Sequence, residues 1–279
     1  MKVTSYLNEI RSFRWRDLHS TWGLVPTMGA LHEGHLSLIR QAKDENDNVG
    51  VSIFVNPIQF NKPADLESYP VDLEQDLSIL KKEKVNLVWA PGKNDIYPPD
   101  FQTYVQVEHI SAPLEGKTRP GHFRGVATIV AILFNAFQPN RAYFGQKDAQ
   151  QLLVINQMVN DLKFNLDIVP CPTIREKDGL AISSRNRNLS TRGREQAVCL
   201  FRALSEAKEL IGHGERESKK IISLMHNIIH DFSLAKIDYI SIVNPDSLAE
   251  IDIINSRILV SLAVTIENTR LIDNMIIEI

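Results

Sequence analysis

The chain has 279 residues, 43% of them hydrophobic and 23% charged, with 31 Lys+Arg against 34 Asp+Glu for a formal charge of −3. That length accommodates roughly two domains and a sizeable core, which excludes disorder and small disulfide scaffolds. The balanced charge excludes the basic face of a non-specific nucleic-acid binder, and Gly and Pro at 13 each exclude collagen-like or linker-dominated chains.

In chain order, residues 1–16 mix charged and polar side chains and lack the apolar run of a signal peptide. Gly23 to Pro26 reads as a short buried strand that breaks at Thr27-Met28-Gly29. Residues 35–46 follow as a helix, with Leu36, Ile39 and Ala42 on one side. Val49 to Val55 is a second strand, stopped by Asn56-Pro57. Next come a helix over 72–84, a strand over 85–90, a strongly apolar helix over 123–137 and a strand over 141–144. A helix over 147–161 and a strand over 166–169 complete the pattern. The run Lys81-Lys82-Glu83-Lys84 reads as a solvated helix end, and Trp15 to Arg16 and Trp22 as core and interface packing.

This alternation predicts an α/β fold over residues 1–172, a Rossmann-like parallel sheet with helices on both faces. Ligands of such sheets lie beyond the carboxyl ends of the strands. The loops after Pro26, Val55, Phe144 and Val169 are therefore the ones of interest. From about residue 173 two helical stretches, 191–211 and 217–232, precede strands over 237–243, 257–264 and 271–279. That order predicts a smaller C-terminal α+β domain over 173–279. No segment reaches about 18 consecutive apolar residues, so no membrane partner is expected. Cys171 and Cys199 are too few for a Cys-rich zinc site and point to a reducing, cytoplasmic compartment.

The densest chemistry lies in Pro26-Thr27-Met28-Gly29-Ala30-Leu31-His32-Glu33-Gly34-His35, between the first strand and its helix. A glycine turn allows close backbone approach, and a helix start offers free N–H groups and a positive dipole end. Two histidines three apart can face one anionic group, and a phosphate is the natural guest. Half of a zinc site, or a pair that merely caps the helix, are the competing readings of these residues alone. Ala181-Ile182-Ser183-Ser184-Arg185-Asn186 offers two hydroxyls and a guanidinium, suited to a polyphosphate or to a plain turn.

The His-x-Gly-His motif resembles the signature of the nucleotidyltransferase superfamily. Longer motifs narrow the likeness to the pantothenate synthetase family. They are residues 25–35, Ser52 to Phe60, Arg119-Pro120-Gly121-His122-Phe123-Arg124-Gly125-Val126, Tyr143 to Asp148, Asp178 to Asn186, and Arg270-Leu271-Ile272-Asp273-Asn274. Two positions depart from the family pattern. Gln146 stands where the family usually has Glu, and Val71-Asp72 where it usually has Arg-Thr. No substrate contact is assigned to the latter pair.

The resemblance implies an ATP-dependent ligase that joins pantoate to β-alanine through a pantoyl adenylate. Mg²⁺ would bridge the phosphates, with its protein ligands unknown, and a homodimer is the implied assembly. Implied catalytic residues are His32, His35, Lys147, Ser183, Ser184 and Arg185. The implied nucleotide site spans Met28, Gly29, Ala30, Leu31, His32, Glu33, Gly34 and His35, then Gly145, Gln146, Lys147 and Asp148. Ile174, Ile182, Ser183, Ser184 and Arg185 complete it. Gln59, Gln151, Asn56 and Arg119 are implied at the pantoate and β-alanine subsite, where Arg119 taken alone reads equally as one half of an ion pair. The competing functions are another nucleotidyltransferase of the superfamily and a non-catalytic nucleotide-binding protein.

Overall fold

The computed structural model describes residues 1–61 and 63–279. Two compact units emerge, Met1–Gln146 with Gln150–Pro172, and Lys147–Ala149 with Thr173–Ile279.

The first unit begins with β1 (Lys2–Thr4), α1 (Leu7–Arg14), β2 (Trp22–Thr27), α2 (Glu33–Glu45) and β3 (Asn48–Ile53). It continues through a 3₁₀ turn at Pro57–Gln59, α3 (Pro63–Glu67), α4 (Leu73–Lys82), β4 (Leu87–Trp89), α5 (Lys93–Ile96), α6 (Glu115–Thr118) and α7 (His122–Phe137). After β5 (Arg141–Gly145) and a 3₁₀ turn at Gln146–Asp148 come α8 (Ala149–Leu162) and β6 (Asp167–Cys171). The six strands form one sheet in the order β1-β4-β3-β2-β5-β6, every pair parallel.

Side chains of a parallel strand alternate between two buried faces. Trp22 and Leu24 of β2, Leu87 and Trp89 of β4, and Ala142 and Phe144 of β5 enter one core with Ile10 of α1 and the apolar sides of α7 and α8. Val25, Val49, Val51, Ile53, Val88 and Tyr143 enter the other, with Leu38, Ile39 and Ala42 of α2 and Leu80 of α4. β2 lies between β3 and β5, so the chain leaves β2 for one side of the sheet and later returns on the other. That is the switch point at which such sheets bind ligands.

The second unit holds a 3₁₀ helix at Ser184–Asn188, α9 (Thr191–Gln196), α10 (Cys199–Gly212), α11 (Ser218–His230), β7 (Ala235–Val243), β8 (Ile258–Ile266) and β9 (Thr269–Ile277). Its three strands are antiparallel in sequence order. Ile258, Val260, Leu262, Val264 and Ile266 of β8 bury one face against Leu200, Leu204 and Ile211 of α10 and Ile221, Met225 and Ile229 of α11.

Three expectations need correction. The helix over 191–211 is two helices, because the Leu200 N–H bonds the Ala197 carbonyl, i to i−3, and one tightened turn interrupts the ladder. Hydrophobic period alone does not register such a turn. Trp22 is buried at 3% exposure, whereas Trp15 lies outside the core, 47% exposed in the single chain, with its indole Nε1 donating to Gln138 Oε1. The strand at 49–55 stops at Ile53, with the Phe54 N–H to the Thr27 carbonyl as the last rung of the β2–β3 ladder before the Asn56-Pro57 loop.

Asp72, at the departure from the family pattern, caps α4 by accepting from Gln75 N–H at 2.9 Å, and Val71 is exposed. Cys171 and Cys199 are buried free thiols, which burial pushes up to about 11 and about 12 respectively. Among the described residues no helix is long and apolar enough to cross a membrane.

Candidate active site

The turn after β2 is built backward from a carboxylate that the sequence reading did not single out. Asp76, on the first turns of α4, is 2% exposed. Its Oδ2 accepts from Ala30 N–H at 2.9 Å and its Oδ1 from Leu31 N–H at 2.8 Å. Gly29 and Ala30 both adopt positive φ, +81° and +50°. A Cβ on Gly29 would lie 2.8 Å from Asp76 Oδ2, so the position admits no side chain. Thr27 ties the start of the turn, its Oγ1 donating to the Ser52 carbonyl and accepting from Gly29 N–H.

His32 is the N-cap of α2, and its backbone N–H donates to His35 Nδ1 at 3.4 Å. The two rings lie 4.1 Å apart between centroids and tilt by 31°. Gly34 is what lets them meet, because a Cβ there would sit 3.0 Å from His32 Cε1 and Nδ1. With Nδ1 accepting, the neutral His35 ring carries its proton on Nε2. The Glu33 carboxylate is turned away into an ion pair with Arg40, which also holds Glu83. Leu31 and Ala30 are buried, and Met28 is half-buried with its Sδ accepting from Gln59 Nε2 at 3.1 Å.

The loop after β3 carries Asn56 and Gln59, 1% and 8% exposed. Asn56 Nδ2 donates to Gln59 Oε1 at 2.9 Å and to the Gly125 carbonyl at 3.1 Å. The Gln59 carbonyl meets His122 Nδ1 at 2.9 Å, and His122 Nε2 meets Arg119 Nη1 at 3.2 Å. A carbonyl only accepts, so His122 donates from Nδ1 and receives the guanidinium N–H on Nε2. Arg119 also pairs with Glu115 at 3.9 Å, which makes it an ion-pair partner and a support for His122.

Of the adjacent glutamines, Gln150 is buried and fully used. Its Oε1 accepts from Glu115 N–H, and its Nε2 donates to the Ile110 and Pro113 carbonyls. Gln151 is half-buried.

In the first unit Gly145 ends β5 and Gln146 opens the following turn. In the second, Lys147 Nζ lies 4.0 Å from Asp148 Oδ1, with Lys147 mostly buried and Asp148 half exposed. Asn274 of β9 donates from Nδ2 to the Lys147 carbonyl at 2.7 Å. Ile182 N–H bonds the Ile174 carbonyl, closing a hairpin that leads into the serine segment. Arg175 anchors that hairpin through a bidentate pair with buried Asp273, at 2.6 and 2.9 Å, and through the Gly179 carbonyl. Ser183 caps the 3₁₀ helix by accepting from Arg185 N–H at 3.3 Å, Ser184 is buried, and Arg185 is half-buried.

A model of the pantoate-beta-alanine ligase family matches residues 2–276. The chain belongs to that family. A pantothenate synthetase of Roseiflexus castenholzii is 53% identical over 278 residues, covering all of both chains. The crystal structure of a Thermus thermophilus pantothenate synthetase superposes with a TM-score of 0.95 at 43% identity, covering 99% of each chain. The Francisella tularensis pantoate-beta-alanine ligase, complexed with βγ ATP and β-alanine, gives 0.81 at 38% identity, covering 99% of this chain and 97% of that one.

Like its pantoate-beta-alanine ligase relatives, the chain is an enzyme, which removes the reading of a non-catalytic binding protein. Half of a zinc site gains no complement either. Among the described residues no group of three His, Cys, Asp or Glu side chains could hold a metal. In this member of the family, sequence reasoning missed Asp76, His122, Arg175, Asn274 and Tyr97, whose hydroxyl donates to Asn56 Oδ1 at 2.8 Å, as supports of the expected site residues. His122 and Asn274 lay inside quoted motifs without a role, and Asp76 and Tyr97 carried no local signal at all.

Proposed function

We propose that the chain condenses (R)-pantoate with β-alanine to form pantothenate, driven by conversion of ATP to AMP and pyrophosphate. The observation that carries the reading is the His32–His35 turn, held by a buried carboxylate at the carboxyl end of β2. The ligands of the Francisella tularensis relative, βγ ATP and β-alanine, support the same nucleotide and amine here.

A carboxylate is a poor acyl donor because its oxide does not leave. In the first step a pantoate carboxylate oxygen attacks the α-phosphorus, the bond to the bridging oxygen breaks, and pyrophosphate departs with that electron pair. The His35 Nε2–H donates to the oxygen on which charge grows, and His32 and Lys147 offset the remaining phosphate charge. Met28, Gly29, Ala30, Leu31, Glu33 and Gly34 shape the turn, through the backbone in the case of Glu33. Gly145 and Gln146 lead to Asp148, which accepts from the ribose hydroxyls.

Ser183, Ser184 and Arg185 bind the triphosphate as well, with Ile174 and Ile182 beside the nucleotide, on the strength of the family motif. Imidazole, amide and hydroxyl donors suit phosphate oxygens better than a hard cation, so Mg²⁺ enters with the nucleotide as part of the substrate. In the second step the β-alanine nitrogen attacks the acyl carbon, loses a proton, and AMP leaves. Gln59 and Gln151 hold pantoate, with Asn56 and Arg119 steadying that subsite. The working assembly we propose is a cytoplasmic homodimer, checked by light scattering on the purified chain.

Pyrophosphate release tests the chemistry. It should require ATP and pantoate but not β-alanine, whereas AMP release should require all three. Pyrophosphate released without pantoate, or an adenylylated product that persists with β-alanine present, would exclude this reaction.

A further inference from the structure

The Gly125 carbonyl oxygen can only accept a hydrogen bond. The Asn56 side-chain atom 3.1 Å from it is therefore the Nδ2 group. That single assignment orients the neighbours, which an amide's similar ends would otherwise leave ambiguous. Asn56 Nδ2 also donates to Gln59 at 2.9 Å, so the Gln59 atom facing it is Oε1. Asn56 Oδ1 then faces Tyr97, whose hydroxyl must be the donor, at 2.8 Å. With its oxygen turned to Asn56, Gln59 carries Nε2 on its other side, next to the Met28 sulfur, an acceptor.

Tyr97 is well suited to this task. It is 8% exposed, and its ring packs edge-on against Phe101 at 5.0 Å and tilts against Phe54 at 6.0 Å. Burial holds its hydroxyl well above the usual phenol range, so it remains a donor wherever the enzyme works.

We infer that Tyr97 is a positioning residue for the pantoate subsite: its hydroxyl, acting through Asn56, locks Gln59 as an N–H donor toward the ligand. The inference rests on the reading of Gln59 as a pantoate contact. Its consequence is a polarity rule, because the ligand group that meets Gln59 must be an acceptor, such as a carboxylate or hydroxyl oxygen. Without the Tyr97 hydroxyl, a buried carbonyl oxygen is left unsatisfied, Asn56 turns in search of a donor, and Gln59 loses its lock.

A double-mutant cycle on initial rates of pantothenate formation tests this. Tyr97→Phe should raise the pantoate KM about 5–10-fold, the loss expected for one hydrogen bond, with the ATP KM little changed. In a Gln59→Ala background the same substitution should add nothing to the pantoate KM, because Tyr97 has no amide left to hold. An equal effect in both backgrounds, or none in either, overturns the inference. A Gln59→Ala enzyme with an unchanged pantoate KM instead overturns the subsite reading and the inference with it. Should Tyr97→Phe fail to fold, Asn56→Asp gives the same test, since it keeps the acceptor for Tyr97 and removes both donors. It should raise the pantoate KM selectively, and a loss shared equally with ATP counts against the relay.

Discussion

Asn274 and Lys147 stand 127 residues apart in sequence, yet the Asn274 amide donates to the Lys147 carbonyl at 2.7 Å. The preceding residue, Asp273, holds Arg175 at the base of the hairpin that leads to Ser183. Two consecutive residues of one strand thus hold the lysine turn and the serine segment. Small displacements of a positioned charge are costly, with about 1 Å capable of a hundredfold rate loss. Asn274→Ala should therefore lower the single-turnover rate of pyrophosphate release about 10–100-fold. A wild-type rate would remove Asn274 from the positioning of Lys147.

Asp76 makes a stronger claim on stability. Its buried carboxylate accepts from two backbone N–H groups that have turned away from helix and sheet. Hydrogen bonds to a charged group contribute about 1.5–3 kcal/mol each, and unsatisfied buried donors cost a similar amount. Asp76→Ala should lower unfolding stability by on the order of 3 kcal/mol in urea titrations and abolish pyrophosphate release. Asp76→Asn keeps one acceptor and should fall between. If Asp76→Ala is as stable as the parent, the turn does not depend on this carboxylate.

How much of this was legible follows from the kind of signal each feature leaves. The sheet was readable because Val49, Val51 and Ile53 face one core and Phe54 the other, and a parallel strand buried on both faces leaves a short apolar run of adjacent residues. The His32–His35 turn was readable for the same reason, since the motif is contiguous. Short elements such as β1, with three residues, and α6, with four, fall below what periodicity can register. Asp76 and Tyr97 were silent, and Asn274 was flagged only as part of a motif without a role, because each acts on a backbone or amide group far away along the chain, at a separation set only by topology. Tyr97 stands 41 residues from Asn56, Asp76 stands 45 from Leu31, and Asn274 is more distant still from Lys147.

His35 and Gly34 can be separated by experiment. Loss of one preorganised donor at an anionic transition state costs about 10²–10³ in rate, so His35→Ala should slow adenylate formation by that factor. Gly34→Ala keeps both histidines but sets a Cβ 3.0 Å from the His32 ring, which must shift. It should reduce the same rate with a melting temperature close to the parent's, because the added methyl meets a side chain and not the core. A Gly34→Ala enzyme with parental rates would show that the His32 ring position does not matter to catalysis.

The hairpin before Ser183 carries a pH signature. Arg194 bonds the Asp178 carboxylate at 2.8 and 3.1 Å and holds it below the usual carboxylate range. A carboxyl group whose folded value is depressed contributes stability that is complete above its unfolded value, near about 4. The contribution is lost as pH falls through the lower, folded value, because protonation then no longer distinguishes the two states. The Asp178 side chain is 44% exposed, so solvent screening limits the pair to roughly 0.2–1 kcal/mol. Urea midpoints of the parent and of Arg194→Gln should differ by a constant amount from about pH 5 to pH 7, and the gap should close on acidification below about pH 4. Arg194 also pairs with Glu176 at 2.8 Å, so a gap as wide at pH 3 as at neutral pH would mean that Arg194 stabilises the hairpin through its packing, and not through the charges of Asp178 and Glu176.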